Sequence, residues 1–167
     1  MEKLAWTIED LLEKELALYK ELQNILEQEK HYIVDMDVDS LWKTIVEKKQ
    51  IALKLESMDK KIFNLLEKRS AALSMESKTL KLSDFILKLP VSRKIKSKLR
   101  RIKLGLETYK ENVSTLALAN KTYINESLAV INNIFSVVVE KVNQEQYNNC
   151  GNILENREKK RFISAEV

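Results

Sequence analysis

The sequence predicts an all-α protein: an antiparallel helical bundle of three long helices plus one short helix, with a polar C-terminal tail. Two observations indicate this fold class. Only two glycines and one proline occur in 167 residues, and these residue types normally interrupt helices and mark turns. Apolar residues also recur at steps of three and four, the spacing of one helix face. We expect one helical domain over residues 1–142 and a polar, flexible tail over residues 143–167.

The first two long helices should form a hairpin over residues 2–73. Leucine, isoleucine and tyrosine recur at helical spacing on both sides of a short break near residues 35–39. Within that break, Asp35, Asp37 and Asp39 offer carboxylates that cap a helix N-terminus and suit its positive dipole end. Because the break is only a few residues long, the two helices should pack antiparallel.

A short helix is expected over residues 83–89, after a polar linker over residues 74–82. The linker mixes serine, threonine and lysine with little apolar periodicity. Ser83 and Asp84 are candidate N-caps for the short helix. Pro90 should end it, because proline disfavours a helical conformation in the residue before it.

The final long helix, over residues 92–142, should change character along its length. Its early apolar residues fall within an arc of about 80° on a helical wheel, a seam that one neighbour can cover. From residue 113 the apolar arc widens to about 200°, although a helix packed on one side needs little more than about 100°. The residues on this broad arc are Val113, Leu116, Ala117, Tyr123, Ile124, Leu128, Ile131, Ile134, Phe135, Val138, Val139 and Val142.

Two explanations for the broad arc stay open. In the first, the helix is central and surrounded by the chain's own helices, but only two other long helices are predicted. Alternatively, an amphipathic helix of another protein covers it. Small residues such as Ala117 and Ser127 permit close helix approach, and Tyr123 and Phe135 are side chains of the kind that carry binding energy. The pattern favours the external helix.

Charge is unevenly distributed along the chain. Residues 1–40 carry eleven acidic and four basic side chains, whereas residues 41–110 carry nineteen basic and seven acidic ones. The first interpretation is that the acidic helix faces basic helices within the same bundle. The densest basic cluster is also a candidate for electrostatic docking of an acidic partner. It contains Lys98 and Lys103 together with the candidate docking residues Arg93, Lys94, Lys96, Arg100 and Arg101.

Several function classes fit the composition poorly. The only histidine, His31, is far in sequence from Cys150, so no nucleophile–base pair is evident. Metal-ligand spacings and glycine-rich phosphate loops are missing, which predicts a non-enzyme without cofactor or metal. Nucleic acid binding is disfavoured because the basic cluster lacks interleaved aromatic residues. No apolar run reaches the roughly 20 residues of a membrane span, and the single cysteine fits a reducing cytoplasm.

Four local patterns carry a resemblance to a known family. A glutamate, an apolar residue, an aspartate, a leucine and a lysine surround the hairpin turn, and a short helix precedes Pro90. An Asn-x-x-apolar-apolar-x-x-Ser-Leu stretch lies in the final helix, and a tyrosine–glycine pair lies in the tail. In this order the patterns resemble the FlgN-type flagellar export chaperones. The matching residues are Glu29, Ile33, Asp37, Leu41, Lys48 or Lys49, Asn120, Tyr123, Ile124, Ser127, Leu128, Tyr147 and Gly151.

The resemblance implies a cytoplasmic chaperone without catalytic activity. Such proteins bind the C-terminal amphipathic helices of hook–filament junction proteins, keep them unassembled and bring them to the cytoplasmic part of the type III export gate. A scaffolding coiled coil is the alternative, although the broken seam after residue 113 argues against sustained heptads. A homodimer stays open. The expected partner-binding residues are Val113, Leu116, Ala117, Asn120, Tyr123, Ile124, Ser127, Leu128, Ile131, Phe135 and Val138.

Overall fold

The computed structural model describes residues 2–70 and 81–144; at residues 70 and 140–144 it describes the backbone alone. Within these ranges the chain forms four helices and no strand, which confirms the predicted all-α fold. The helices are α1 (Glu2–Val34), α2 (Val38–Ser70), α3 (Leu82–Lys88) and α4 (Arg93–Gln144). The predicted linker and tail lie almost entirely outside the described residues. The last three residues of the predicted hairpin, 71–73, and the tail residues Tyr147 and Gly151 lie outside them as well.

The chain divides into two compact units, Met1–Tyr123 and Ile124–Val167. The first unit contains α1, α2, α3 and the first part of α4, and both clusters of buried core residues lie within it. The described part of the second unit consists of the remaining residues of α4. Among residues 2–70 and 81–144, no helix combines the length and the apolar character needed to cross a membrane.

The hairpin of α1 and α2 is confirmed, and each helix is 33 residues long. The turn between them is a Schellman motif, in which the amide of Asp37 donates to the Tyr32 carbonyl at 2.9 Å and that of Met36 to the Ile33 carbonyl at 3.3 Å. Met36 adopts a φ of 54°, a left-handed conformation that favours glycine. Because Met36 is not glycine, this conformation costs some backbone strain.

Asp37 also begins the second helix, as the sequence predicted for this group of aspartates. Its Oδ1 accepts a hydrogen bond from the Ser40 amide at 3.1 Å, which satisfies one of the unpaired amides of the first turn. The hydrogen bonds from Ser40 hold the pKa of the Asp37 carboxyl below its usual value. One residue thus closes α1 and caps α2.

The short helix α3 and its C-cap residue, Leu89, supply three fully buried side chains to the larger core cluster: Phe85, Ile86 and Leu89, each 0% exposed. The prediction that Ser83 or Asp84 caps this helix is wrong. Lys81 occupies the N-cap position without a side-chain cap, and its carbonyl accepts hydrogen bonds from the amides of Asp84 and Phe85, each at 3.1 Å. The helix begins one residue earlier than predicted because the core, rather than a polar cap, fixes its position.

The first part of α4 closes the core of the first unit. The Ser92 hydroxyl accepts a hydrogen bond from the Ile95 amide at 3.4 Å, in agreement with a helix start near residue 92. Leu99, Ile102 and Leu106 are buried and share the larger core cluster with α1, α2 and α3. The narrow apolar seam predicted for this part of the helix is therefore a packed core seam.

Candidate functional site

The second unit exposes an unusual amount of apolar surface on α4. Seven large hydrophobic side chains between residues 124 and 139 are at least half exposed, from 50% for Val139 to 64% for Phe135. We call these seven side chains the apolar face. They are Leu128, Val130, Ile134, Phe135, Val137, Val138 and Val139.

The apolar face is broad and carries no charge. On a helical wheel it covers about 200°, and at 1.5 Å per residue it extends about 16 Å along the helix. No Asp, Glu, Lys or Arg occurs between residues 127 and 139, so no long charged side chain of this segment shields it. The other side of the helix carries Asn125, Ala129, Asn132, Asn133 and Ser136. Contiguous exposed apolar surface of this kind marks interaction sites in soluble domains.

The expected partner-binding residues differ in accessibility. The exposed ones are Ala117, Tyr123, Leu128, Phe135 and Val138. The half-buried ones are Val113, Leu116, Ile124, Ser127 and Ile131. The side chain of Val142 lies outside the described part of the chain. Sequence reasoning missed Val130 and Val137, which lie just beyond the margin of the predicted arc.

Asn120 is the one expected contact residue that is buried, with 2% of its surface exposed. Its Nδ2 donates hydrogen bonds to the Leu26 carbonyl at 2.8 Å and to Glu29 Oε2 at 3.0 Å. The other Glu29 carboxylate oxygen accepts a hydrogen bond from Lys48 Nζ. One carboxylate with a side chain only 4% exposed therefore joins α1, α2 and α4. We call this arrangement the Glu29 clamp.

The Glu29 clamp corrects the placement of Asn120 and selects Lys48, rather than Lys49, as the lysine that pairs with Glu29. Glu29, Lys48 and Asn120 were matched from separate stretches of sequence, and the structure brings them together in the first unit. A buried carboxylate is stable only when its oxygens are paired. Asn120 thus holds α4 against the hairpin and has no free surface to offer a partner.

Tyr123 ends the first unit and is partly accessible, at 39%. Lys30 Nζ lies 5.6 Å from the centroid of its ring, a distance at which an ammonium is attracted to an aromatic face. The contact holds one face of the ring against α1 and leaves the rest to solvent.

The basic cluster at the start of α4 is only partly neutralised. Lys98 forms ion pairs with Glu9 and with Glu13, the latter at 3.5 Å, so the acidic first helix does face basic residues of the same bundle. Lys96 Nζ donates to a main-chain carbonyl of α3 at 2.7 Å. Among the described residues, the remaining four candidate docking residues form no ion pair: Arg93, Lys94, Arg100 and Arg101.

A comparison with protein families decides the class of this protein. The chain matches the family model described as FlgN protein over residues 1–155. The chain belongs to the FlgN family. FlgN proteins are flagellar export chaperones and not an enzyme family. No curated protein and no solved structure matches the chain.

The first unit of this FlgN-family chain buries a second carboxylate besides Glu29. Glu15, 2% exposed, lies with its Oε1 2.7 Å from Lys110 Nζ, and that ammonium also stands 5.1 Å above the Tyr19 ring. Burial raises the pKa of Glu15, and it also raises the pKa of Tyr19. Burial opposes the charge on Lys110, yet the hydrogen bond and charge of Glu15 raise the pKa of Lys110 above its usual value.

In the part of this FlgN-family protein that the structure describes, the buried carboxylates of Glu15 and Glu29 connect helices. Within residues 2–70 and 81–144, no three His, Cys, Asp or Glu side chains come together as a metal site requires. The buried Glu15 and Glu29 each contact an ammonium across two helices. Among the described residues, the exposed features at the sequence-predicted site include the apolar face and the four cations without an ion pair.

Proposed function

We propose that this FlgN-family protein is a cytoplasmic export chaperone whose apolar face binds the C-terminal amphipathic helix of a flagellar hook–filament junction protein. It keeps that client unassembled and delivers it to the cytoplasmic part of the type III export gate. The observation that supports the proposal is the exposure of seven large apolar side chains on one uncharged segment of helix. An amphipathic helix laid along this segment would cover them.

The size of the apolar face suits a specific but reversible complex. A total buried surface of about 1,000–1,500 Å² is within the range of specific interfaces. A client end that is disordered before binding must be ordered on the chaperone, and this ordering consumes part of the interaction free energy. The affinity that remains is moderate, as release at an export gate requires. Phe135, the most exposed member of the face, is the expected anchor.

The proposal is tested by placing charge on the apolar face. The variant Leu128→Asp with Phe135→Asp should lower client affinity at least about 100-fold, because each substitution removes an apolar contact and introduces a carboxylate into the interface. The control, Asn132→Asp with Asn133→Asp, adds the same charge to the polar side and should change affinity less than about threefold. The client affinities of both variants are measured by fluorescence anisotropy. The labelled ligand is the C-terminal segment of a hook–filament junction protein from the same bacterium.

Two results would overturn the proposal. One is undiminished client affinity in the Leu128 and Phe135 variant. The other is a loss of helix content in the Leu128 and Phe135 variant, measured by circular dichroism, which would place these two side chains in an internal core. A salt titration distinguishes client binding from the rival function, nucleic acid binding. Binding to nucleic acid phosphates weakens strongly as the salt concentration rises, whereas binding of an apolar helix face persists.

A further inference from the structure

A second surface of the first unit, at the beginning of α1 and α4, combines an exposed tryptophan with cations. Trp6 is 69% exposed and lines an open groove of about 870 Å³. Ile95 adds apolar surface to the same groove. Its basic lining residues are Arg93, Lys94, Lys98 and Arg101. The groove lies entirely within the first unit, whereas the apolar face belongs to the second.

The positive charge of the groove is not balanced internally. Glu9 and Glu13 neutralise Lys98. Arg93, Lys94 and Arg101, in contrast, form no ion pair within the described ranges. Three cations therefore face a groove that also contains apolar surface.

The helix dipole adds to this positive potential. The first turn of α4 contains no acidic residue and begins with Arg93 and Lys94. A helix N-terminus carries roughly half a positive charge, so acidic residues stabilise it and cations there are unfavourable. An anionic group bound in the groove would relieve the repulsion among the cations and the dipole. The arrangement favours a negatively charged occupant.

We propose that this groove docks an acidic segment of another protein, which presents a large apolar or aromatic side chain to Trp6. The chain's own C-terminal tail is a poor occupant, because residues 157–161 are strongly basic and the four acidic and four basic side chains of residues 143–167 leave no net negative charge. Nucleic acid binding uses a series of aromatic residues for stacking, and Trp6 is the only aromatic residue of the groove. Acidic side chains match the cations, and an apolar side chain matches Trp6 and Ile95.

The test uses the full chain and a labelled 16-residue probe peptide rich in glutamate, with leucines at helical spacing and no aromatic residue. Anisotropy at about 150 mM salt should show saturable binding. Arg93→Glu with Lys94→Glu should weaken binding about tenfold or more, and Trp6→Ala about fivefold. The controls are Lys49→Glu with Lys54→Glu, and Trp42→Ala. Trp42 is as exposed as Trp6, at 65%, and these control variants should bind within about twofold of wild type.

Further comparisons make the outcome decisive. The proposal is overturned if the probe does not bind. It is equally overturned if a peptide with lysine in place of each glutamate, or an acidic peptide without leucine, binds as tightly as the probe. It is also overturned if a single-stranded oligonucleotide, anionic vesicles or a second copy of this chain occupies the groove more tightly through Arg93 and Lys94. The variant Leu128→Asp with Phe135→Asp should bind the probe normally. A failure of client binding is thereby distinguished from a failure of this proposal.

Discussion

Replacing Asn120 with leucine should lower the free energy of unfolding by about 3 kcal/mol. The side chain is buried and donates two hydrogen bonds, to the Leu26 carbonyl and to Glu29. A hydrogen bond between neutral groups contributes about 1 kcal/mol, and one to a charged group about 1.5–3 kcal/mol. Leucine has the same branched side-chain skeleton with bulkier methyl groups, so the substitution leaves no cavity and no cavity term is added. Glu29 also keeps Lys48 as a partner, so the loss should stay below that of fully stripping a buried charge.

Urea unfolding followed by circular dichroism measures this change. A loss of about 3 kcal/mol corresponds to a Tm lower by about 6–12 °C for a chain of this size. The matched control is Asn112→Leu, an exposed asparagine on the same helix in the first unit, which should change the unfolding free energy by less than about 0.5 kcal/mol. If the Asn120 variant were as stable as its control, the hydrogen bonds of the clamp would not be holding α4.

A double-mutant cycle tests the clamp as a unit. Glu29→Gln removes the charge of the acceptor and Asn120→Leu removes the donor of the same hydrogen bond, so their effects should be non-additive by about 1 kcal/mol. Strict additivity would mean that the two side chains contribute independently, against the geometry in which they are 3.0 Å apart.

Two further substitutions test local features of the first unit. Burial raises the pKa of Glu15 above its ordinary value of 4.5, so the contribution of Glu15 to stability falls as the pH rises from about 4.5 through the raised pKa. Glu15→Gln should therefore gain stability relative to wild type as the pH rises above about 4.5 and through the raised pKa, measured by urea midpoints. A relative loss of stability would imply a lowered pKa. Met36→Gly relieves the φ of 54° and should raise the unfolding free energy by about 0.5–1 kcal/mol, whereas a destabilised variant would show that side-chain packing outweighs strain.

The sequence predicted the helices well because their signals are local. Apolar spacing predicted the ends of α1 and the start of α4 to within about one residue of their positions in the structure. The break at Asp37 was also predicted, because this cap depends only on residues adjacent in sequence. The start of α3 was missed because Phe85, Ile86 and Leu89 pack against other helices, and that packing fixes the position of the helix. A capping preference of Ser83 or Asp84 is weaker than the burial of three large side chains.

The binding surface could be predicted only as a pattern. The sequence shows an apolar arc wider than one neighbouring helix can cover, and the exposure of Leu128 and Phe135 agrees with it. The burial of Asn120 could not be predicted, because its partner Glu29 is 91 residues away in the chain. An asparagine at helical spacing looks the same whether it faces solvent or a buried carboxylate. Trp6 was missed because a tryptophan at helical spacing normally indicates core.

Site-specific photo-crosslinking tests the central claim most directly. Benzoylphenylalanine placed singly at Leu128, Phe135 or Val138 in the full chain should crosslink to the C-terminal segment of the hook–filament junction protein. The same group at Asn125 or Asn133, on the polar side of that helix segment, should crosslink weakly or not at all. Equal crosslinking from both sides, or crosslinking only from positions outside α4, would contradict capture of the client on the apolar face.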